Sequence, residues 1–298
     1  MTPSENVPAK SVSPLGIVVE TSSQHLKSLR KYRLEVGRFT VPYAVAGREG
    51  PVLLAINGLQ QSMVSWFSVL KYFTRHTNLC MVLLDLPGQG RAQIDSGPPE
   101  VSFEEHMAVL RAVATQVAPD DQIRLIGGSW GGVLSAAYAA SFPEHVSKLV
   151  LGSFRTKPNA TLLRILTKGQ QLFEANRLDE VAALLIEGFG ENLSESKKAQ
   201  MRQQFTVISM DHLRHLYAQT FAFQACKDIS EYVDLHAIRA ETLIVNGAND
   251  PIVDLQDTRE AASRIPNCRY RIIPDVGHFL HTEKPDVLDV YREFLNEP

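Results

Sequence analysis

The sequence predicts an α/β fold: a mostly parallel, twisted sheet with helices on both faces and a helical insertion late in the order. Three observations predict it. Short continuous apolar runs recur at Val52–Ile56, 80–85, Ile123–Gly128 and 148–153, spaced by segments of helical pattern. Such runs are what strands buried on both faces require. A glycine-rich turn, Gly127-Gly128-Ser129-Trp130-Gly131, leads from one run straight into a helical pattern. The strand rhythm then lapses over 157–236 and resumes at 242–247 and 270–274.

In chain order, the first stretch, 1–30, is rich in Ser, Pro and Lys and is expected to be a loosely held arm. From Lys31, two alternating runs around Gly37-Arg38 predict a hairpin, with Pro42 on an edge strand because proline cannot donate to a ladder. The expected core is 31–156 with 237–298. The segment between, 157–236, carries amphipathic helical stretches and is expected to be a helical lid.

Composition narrows the function classes. The chain has 298 residues, 44% hydrophobic and 21% charged, enough apolar content for a packed core. A net charge of −3 argues against a nucleic-acid partner. The three cysteines, Cys80, Cys226 and Cys268, are an odd number, and buried free thiols are expected. The start has no apolar stretch behind a basic end, and no run approaches the roughly 20 residues that span a bilayer. The expectation is a cytoplasmic protein without a transmembrane segment.

The Gly127–Gly131 segment fits a strand that turns sharply into a helix at Ser129, which lifts its hydroxyl above the sheet edge. Ser129 is the candidate nucleophile, and the backbone N–H of Trp130 the first candidate oxyanion donor. The competing reading is an ordinary glycine-rich turn with a solvent-facing serine. Among nine histidines, His278 follows the last strand through Asp275-Val276-Gly277 and is the candidate base. Its rival, His281, lies toward the C-terminal helix. The candidate acid is Asp250, just past 242–247. Asp254 and Asp257 fit the start of the next helix, where carboxylates favour the N-terminal dipole. Asn57-Gly58-Leu59 follows Val52–Ile56 and fits a second oxyanion element with the Leu59 amide as donor, or a plain strand-end turn.

Other clusters invite a plainer reading. The turn Asp85-Leu86-Pro87-Gly88-Gln89-Gly90 sets strand geometry, and Asp211, His212 and His215 fit a polar helix face better than a metal site. No metal or organic cofactor is expected. In the insertion, apolar residues at helical spacing serve the lid's own core, and others, Leu184 and Phe221 among them, are candidates to line an acyl pocket above Ser129.

These residues together resemble the α/β-hydrolase superfamily over nearly the whole chain. Within it, the pattern resembles that of the bacterial 3-hydroxyacyl-carrier-protein acyltransferases, which make hydroxyalkanoyloxyalkanoate lipids or feed polyhydroxyalkanoate synthesis. The shared features are Asn57-Gly58 with Ser62 and Ser65 before Trp66, Asp85-Leu86-Pro87, Ser129-Trp130-Gly131-Gly132, Asn246-Gly247 with Asp250, Gly277-His278-Phe279-Leu280, and part of the insertion. The resemblance implies a serine acyltransferase acting on 3-hydroxyacyl thioesters through an acyl-enzyme, with an ester or thioester hydrolase as the alternative. It also implies Asn57, Gly58 and Ser62 near the substrate, a small-molecule acyl substrate, and an acyl carrier protein as a candidate partner; Lys197, Lys198 and Arg202 share one helical stretch that fits a solvated basic face better than a surface for an acidic carrier protein. Gln60 and Gln61 depart from the group, which has smaller or apolar residues there. The nucleophile segment is also similar to that of proline iminopeptidases, whose His-Gly-Gly-Pro-Gly loop this chain lacks.

Overall fold

A computed structural model describes residues 29–47, 50–207, 218 and 228–297. Most of the expected arm lies outside the described residues, as do Phe221, Asp211, His212, His215 and Cys226.

The chain opens with a hairpin of β1 (Arg30–Val36) and β2 (Phe39–Ala46). Strand β3 (Val52–Ile56) leads to α1 (Phe67–His76). Strand β4 (Cys80–Leu84) leads through the short β5 (Gln93–Ile94) to α2 (Phe103–Val117). Strand β6 (Ile123–Gly128) turns into α3 (Trp130–Ser141). After β7 (Val146–Gly152) come three helices, α4 (Ala160–Glu174), α5 (Leu178–Phe189) and α6 (Glu195–Val207). The chain closes with β8 (Glu241–Gly247), α7 (Leu255–Arg264), β9 (Cys268–Ile273), α8 (Leu280–Glu283) and α9 (Val287–Asn296). The sheet order is β1-β2-β4-β3-β6-β7-β8-β9, with β5 on β2. All pairings from β4 through β9 are parallel, and those of β1, β2 and β5 antiparallel.

The apolar runs are continuous because each strand feeds two cores. In β3, Leu54 and Ile56 join one cluster and Leu53 and Ala55 the other, and β4 divides in the same way. Side chains alternate across a strand, so both faces of the sheet are covered. Helices α2 and α3 pack on the first face, α1 and α9 on the second. Helix α3 is buried almost all round, which only a central helix tolerates. Residues of α4 and α5, including Leu162, Ile165 and Leu184, join the first cluster.

Two expectations need correction. Pro42 is not on an edge strand, because β2 runs between β1 and β4. It is tolerated there because its backbone faces the β4 side, where its carbonyl accepts from Asp85 N–H at 3.1 Å. The residue opposite Leu84 is already Tyr43, so strand pairing has ended where a donor would be missed. The thiols of Cys80 and Cys268 are free, as expected, but only half-buried.

Leu125 is fully buried in β6, the strand that leads into the Ser129 turn. Leu125→Ala should lower unfolding stability by about 2–5 kcal/mol, read from the denaturant midpoint. A shift under about 1 kcal/mol would mean that the centre of the sheet is less tightly packed than described.

Candidate active site

Ser129 joins β6 to α3 with φ 53° and ψ −117°, a backbone conformation that a residue with a side chain seldom adopts. Holding it costs ~1–3 kcal/mol unless the surroundings fix it. They do: Ser129 N–H donates to Gly152 O at 2.8 Å, and Ser129 O accepts from the amides of Gly132 and Val133. The turn also needs space. A Cβ on Gly127 would lie 2.2 Å from Gly131 O, and one on Gly131 only 2.1 Å from Ile56 O. The glycines two before and two after the serine are therefore steric requirements. Trp130 begins α3, and its buried indole lies edge-on to Phe103 and His106.

His278 Nδ1 lies 2.7 Å from Asp250 Oδ2, and both side chains are buried. A carboxylate only accepts, so Nδ1 carries the donated proton, which leaves Nε2 as the acceptor whenever the ring is neutral. Asp250 Oδ1 accepts from Ile252 N–H at 3.1 Å, which fixes the carboxylate from behind. The histidine loop is tied down too. Glu283 accepts from Gly277 N–H at 2.6 Å and Phe279 N–H at 2.9 Å, and Ser153 Oγ donates to His278 O at 2.6 Å. Phe189, at the end of α5, meets the His278 ring edge-on at 5.5 Å.

The rival groups are occupied elsewhere. His281 stacks on Trp66 at 5.6 Å, and dense packing pushes its pKa down to about 4, keeping it neutral. Asp254 caps α7 by accepting from Gln256 and Asp257 N–H. Asp257 sits in the first turn, as expected of a helix-start acid, and also accepts from Thr156 N–H and Oγ1.

Asn57, Gly58 and Leu59 lie after β3, and their loop is organised by Gln61. Gln61 Oε1 accepts from Gly58 N–H at 3.1 Å, Gln61 O from Asn57 Nδ2 at 3.1 Å, and Gln61 N–H donates to Gln89 Oε1 at 3.2 Å. Between them Gln60 is held at φ 60°. Asp85 binds the neighbouring turns, accepting from Met63 N–H at 2.6 Å and Arg91 N–H at 2.8 Å, while its burial raises its pKa. Sequence reasoning treated Gln61 as a departure and missed its clamping role, as it missed that of Glu283. The signal for Glu283 was present as a carboxylate within two turns of the histidine.

Ser129 and His278 line one cavity of about 60 Å³, together with Gln61, Trp66, Gly152 and Tyr291. Asn57, Gly58, Leu59, Ser62, Trp130 and Leu184 are not among the described residues lining it. Ser62 instead begins the 3-10 turn Met63–Trp66, its carbonyl accepting from Ser65. Leu184 is buried in the first core cluster. On α6, Lys198 pairs with Glu195 at 3.0 Å, while Lys197 and Arg202 are exposed. Among the described residues, no helix is long and apolar enough to cross a membrane.

A family model described as alpha/beta hydrolase fold matches residues 51–285. A poly(3-hydroxyalkanoate) depolymerase of Ectopseudomonas oleovorans is 26% identical over 250 residues, covering 82% of this chain and 84% of its own. The human monoacylglycerol lipase ABHD6 is 23% identical over 261 residues, covering 82% and 75%. In fold, the chain matches the crystal structure of MGS-M2, an alpha/beta hydrolase enzyme from a Medee basin deep-sea metagenome library. The TM-score is 0.77 at 16% identity, over 89% of this chain and 98% of that one.

Gln61→Leu should leave the buried Gly58 N–H without its acceptor. A loss of about 1–3 kcal/mol in unfolding free energy is expected, measured by chemical denaturation. An unchanged midpoint would mean that the loop holds without Gln61.

Proposed function

The chain belongs to the α/β-hydrolase fold family, and we propose that it hydrolyses carboxylic esters of 3-hydroxyacyl or related fatty-acyl groups through an acyl-enzyme on Ser129. The observation that carries this reading is the 2.7 Å pairing of His278 Nδ1 with Asp250, beside a serine held in a left-handed turn. Ser129 Oγ attacks the acyl carbon while His278 Nε2 takes its proton. The bond to the leaving oxygen breaks as His278 returns that proton to it. Asp250 holds the ring and stabilises its protonated form. The Leu59 and Trp130 amides are the oxyanion donors, each supplying about 3–4 kcal/mol where such a donor has been removed from other enzymes. Water then attacks the acyl-enzyme, with His278 again as base. Each role belongs to the chain's own side chains and amides.

The depolymerase and lipase relatives support an acyl ester as substrate. A second reading follows from the motif resemblance at Asn57-Gly58, Ser129-Trp130-Gly131-Gly132 and part of the insertion: transfer of a 3-hydroxyacyl group from a carrier thioester to a second hydroxyl. In that reading Lys197 and Arg202 meet an acidic carrier protein, and Ser62 lies near the acyl group. In both, 157–236 acts as a lid over Ser129. The contact of Phe189 with His278 supports that role, because it brings the end of α5 to the base. Leu184 and Phe221 would then shape the acyl pocket.

Ser129→Ala should abolish both ester turnover and labelling by a fluorophosphonate, while the thermal melt stays near that of the parent. Labelling that persists would move the nucleophile elsewhere. Asp250→Asn should lower kcat by roughly 10⁴, through loss of the imidazole's acceptor. A larger loss in Asp257→Asn would reassign the acid. Leu184→Ala should shift the preferred acyl length across a series of 4-nitrophenyl esters from acetate to decanoate. An unchanged preference would remove Leu184 from the pocket. Mass spectrometry of products from a 3-hydroxyacyl thioester separates the two readings, as free acid or as condensed ester.

A further inference from the structure

The cavity shared by Ser129 and His278 extends away from the inserted helices. Trp66, Leu280 and Tyr291, which line it, belong to the second core cluster, whereas Leu162, Ile165 and Leu184 of α4 and α5 belong to the first. On this side Ser129 is neighboured by two side chains that carry polar groups, Trp66 and Tyr291. Tyr291 is only 2% exposed, and it lines this cavity. A Cβ on Gly152 would lie 3.4 Å from that hydroxyl, so Tyr291 Oη stands at the strand end whose carbonyl holds Ser129 N–H. Buried tyrosine hydroxyls find a partner as a rule, because one left alone costs about 1–3 kcal/mol. Trp66, stacked on His281 at the same cavity, has its indole Nε1 buried without a partner.

We propose that this cavity is a water site, in which the Tyr291 hydroxyl holds the water that attacks the Ser129 acyl ester. Its volume of about 60 Å³ has room for water, whose share of liquid volume is ~30 Å³. Burial raises the phenol's pKa, so at neutral pH it remains a hydroxyl that both donates and accepts. The step balances. The water oxygen bonds to the acyl carbon, His278 Nε2 takes one water proton, the bond from that carbon to Ser129 Oγ breaks, and the proton passes to Oγ. Acid and free serine result. Tyr291 acts through the water and is a positioning residue. The inference rests on the proposed acyl-enzyme at Ser129 and adds where its water comes from.

The test is a single turnover of 4-nitrophenyl octanoate with the full chain in excess, following nitrophenolate for acylation and free octanoate for deacylation. Tyr291→Phe removes only the hydroxyl. In Tyr291→Phe nitrophenolate release should stay within twofold of the parent, and octanoate release should slow at least fivefold. A smaller change in octanoate release, or an equal fall in both steps, overturns the water site, since a merely structural role would not separate them. A parent chain that releases no nitrophenolate overturns the acyl-enzyme itself, and this inference with it.

Discussion

The positive φ of Ser129 is the constraint on which the rest of the site depends. A β-strand cannot pass into a helix within one residue unless that residue leaves the ordinary backbone regions, and a serine does so at a cost of ~1–3 kcal/mol. The cost is met by a dense set of backbone bonds to Gly152, Gly132 and Val133, and by two glycines that let chain segments meet at distances no side chain permits. The same turn sets the start of α3 and so the direction of its first amides. It also brings Ser129 beside the strand end from which Ser153 reaches His278.

Around that turn, each neighbouring loop is closed by one side chain. Gln61 closes the loop after β3, Asp85 joins it to the loop after β4, and Glu283 closes the histidine loop. All three accept from backbone N–H groups that would otherwise be left without partners. The geometry of a reacting centre is worth most when it is fixed before the substrate arrives. Here the fixing is done by residues that need not touch the acyl group. The cavity beside Ser129 carries Trp66 and Tyr291, both of the second core cluster.

Much of this was legible in the sequence, for physical reasons that differ by residue. The turn at Gly127–Gly131 could be read because its steric demand is local, and the strands because each one is buried on both faces. His278 and Asp250 were selected by position after strand ends, and their pairing follows from β8 and β9 being neighbours. Pro42 was misplaced because edge or interior position depends on β4 pairing with β2 across the order of the chain. The clamping roles of Gln61 and Glu283 could not be read, because such a role depends on backbone amides brought within reach by the loop's own path. The cavity behind Ser129 could not be read at all, since Trp66, Gly152 and Tyr291 meet only through tertiary packing.

The most direct measurement of the central claim is the location of the acyl group during turnover. A reaction with an activated ester, quenched in acid and digested, can be mapped by mass spectrometry. The account predicts the acyl mass on the peptide that contains Ser129 and on no other. Acyl mass on a different residue, or turnover with no covalent species while Ser129→Ala retains activity, would contradict it.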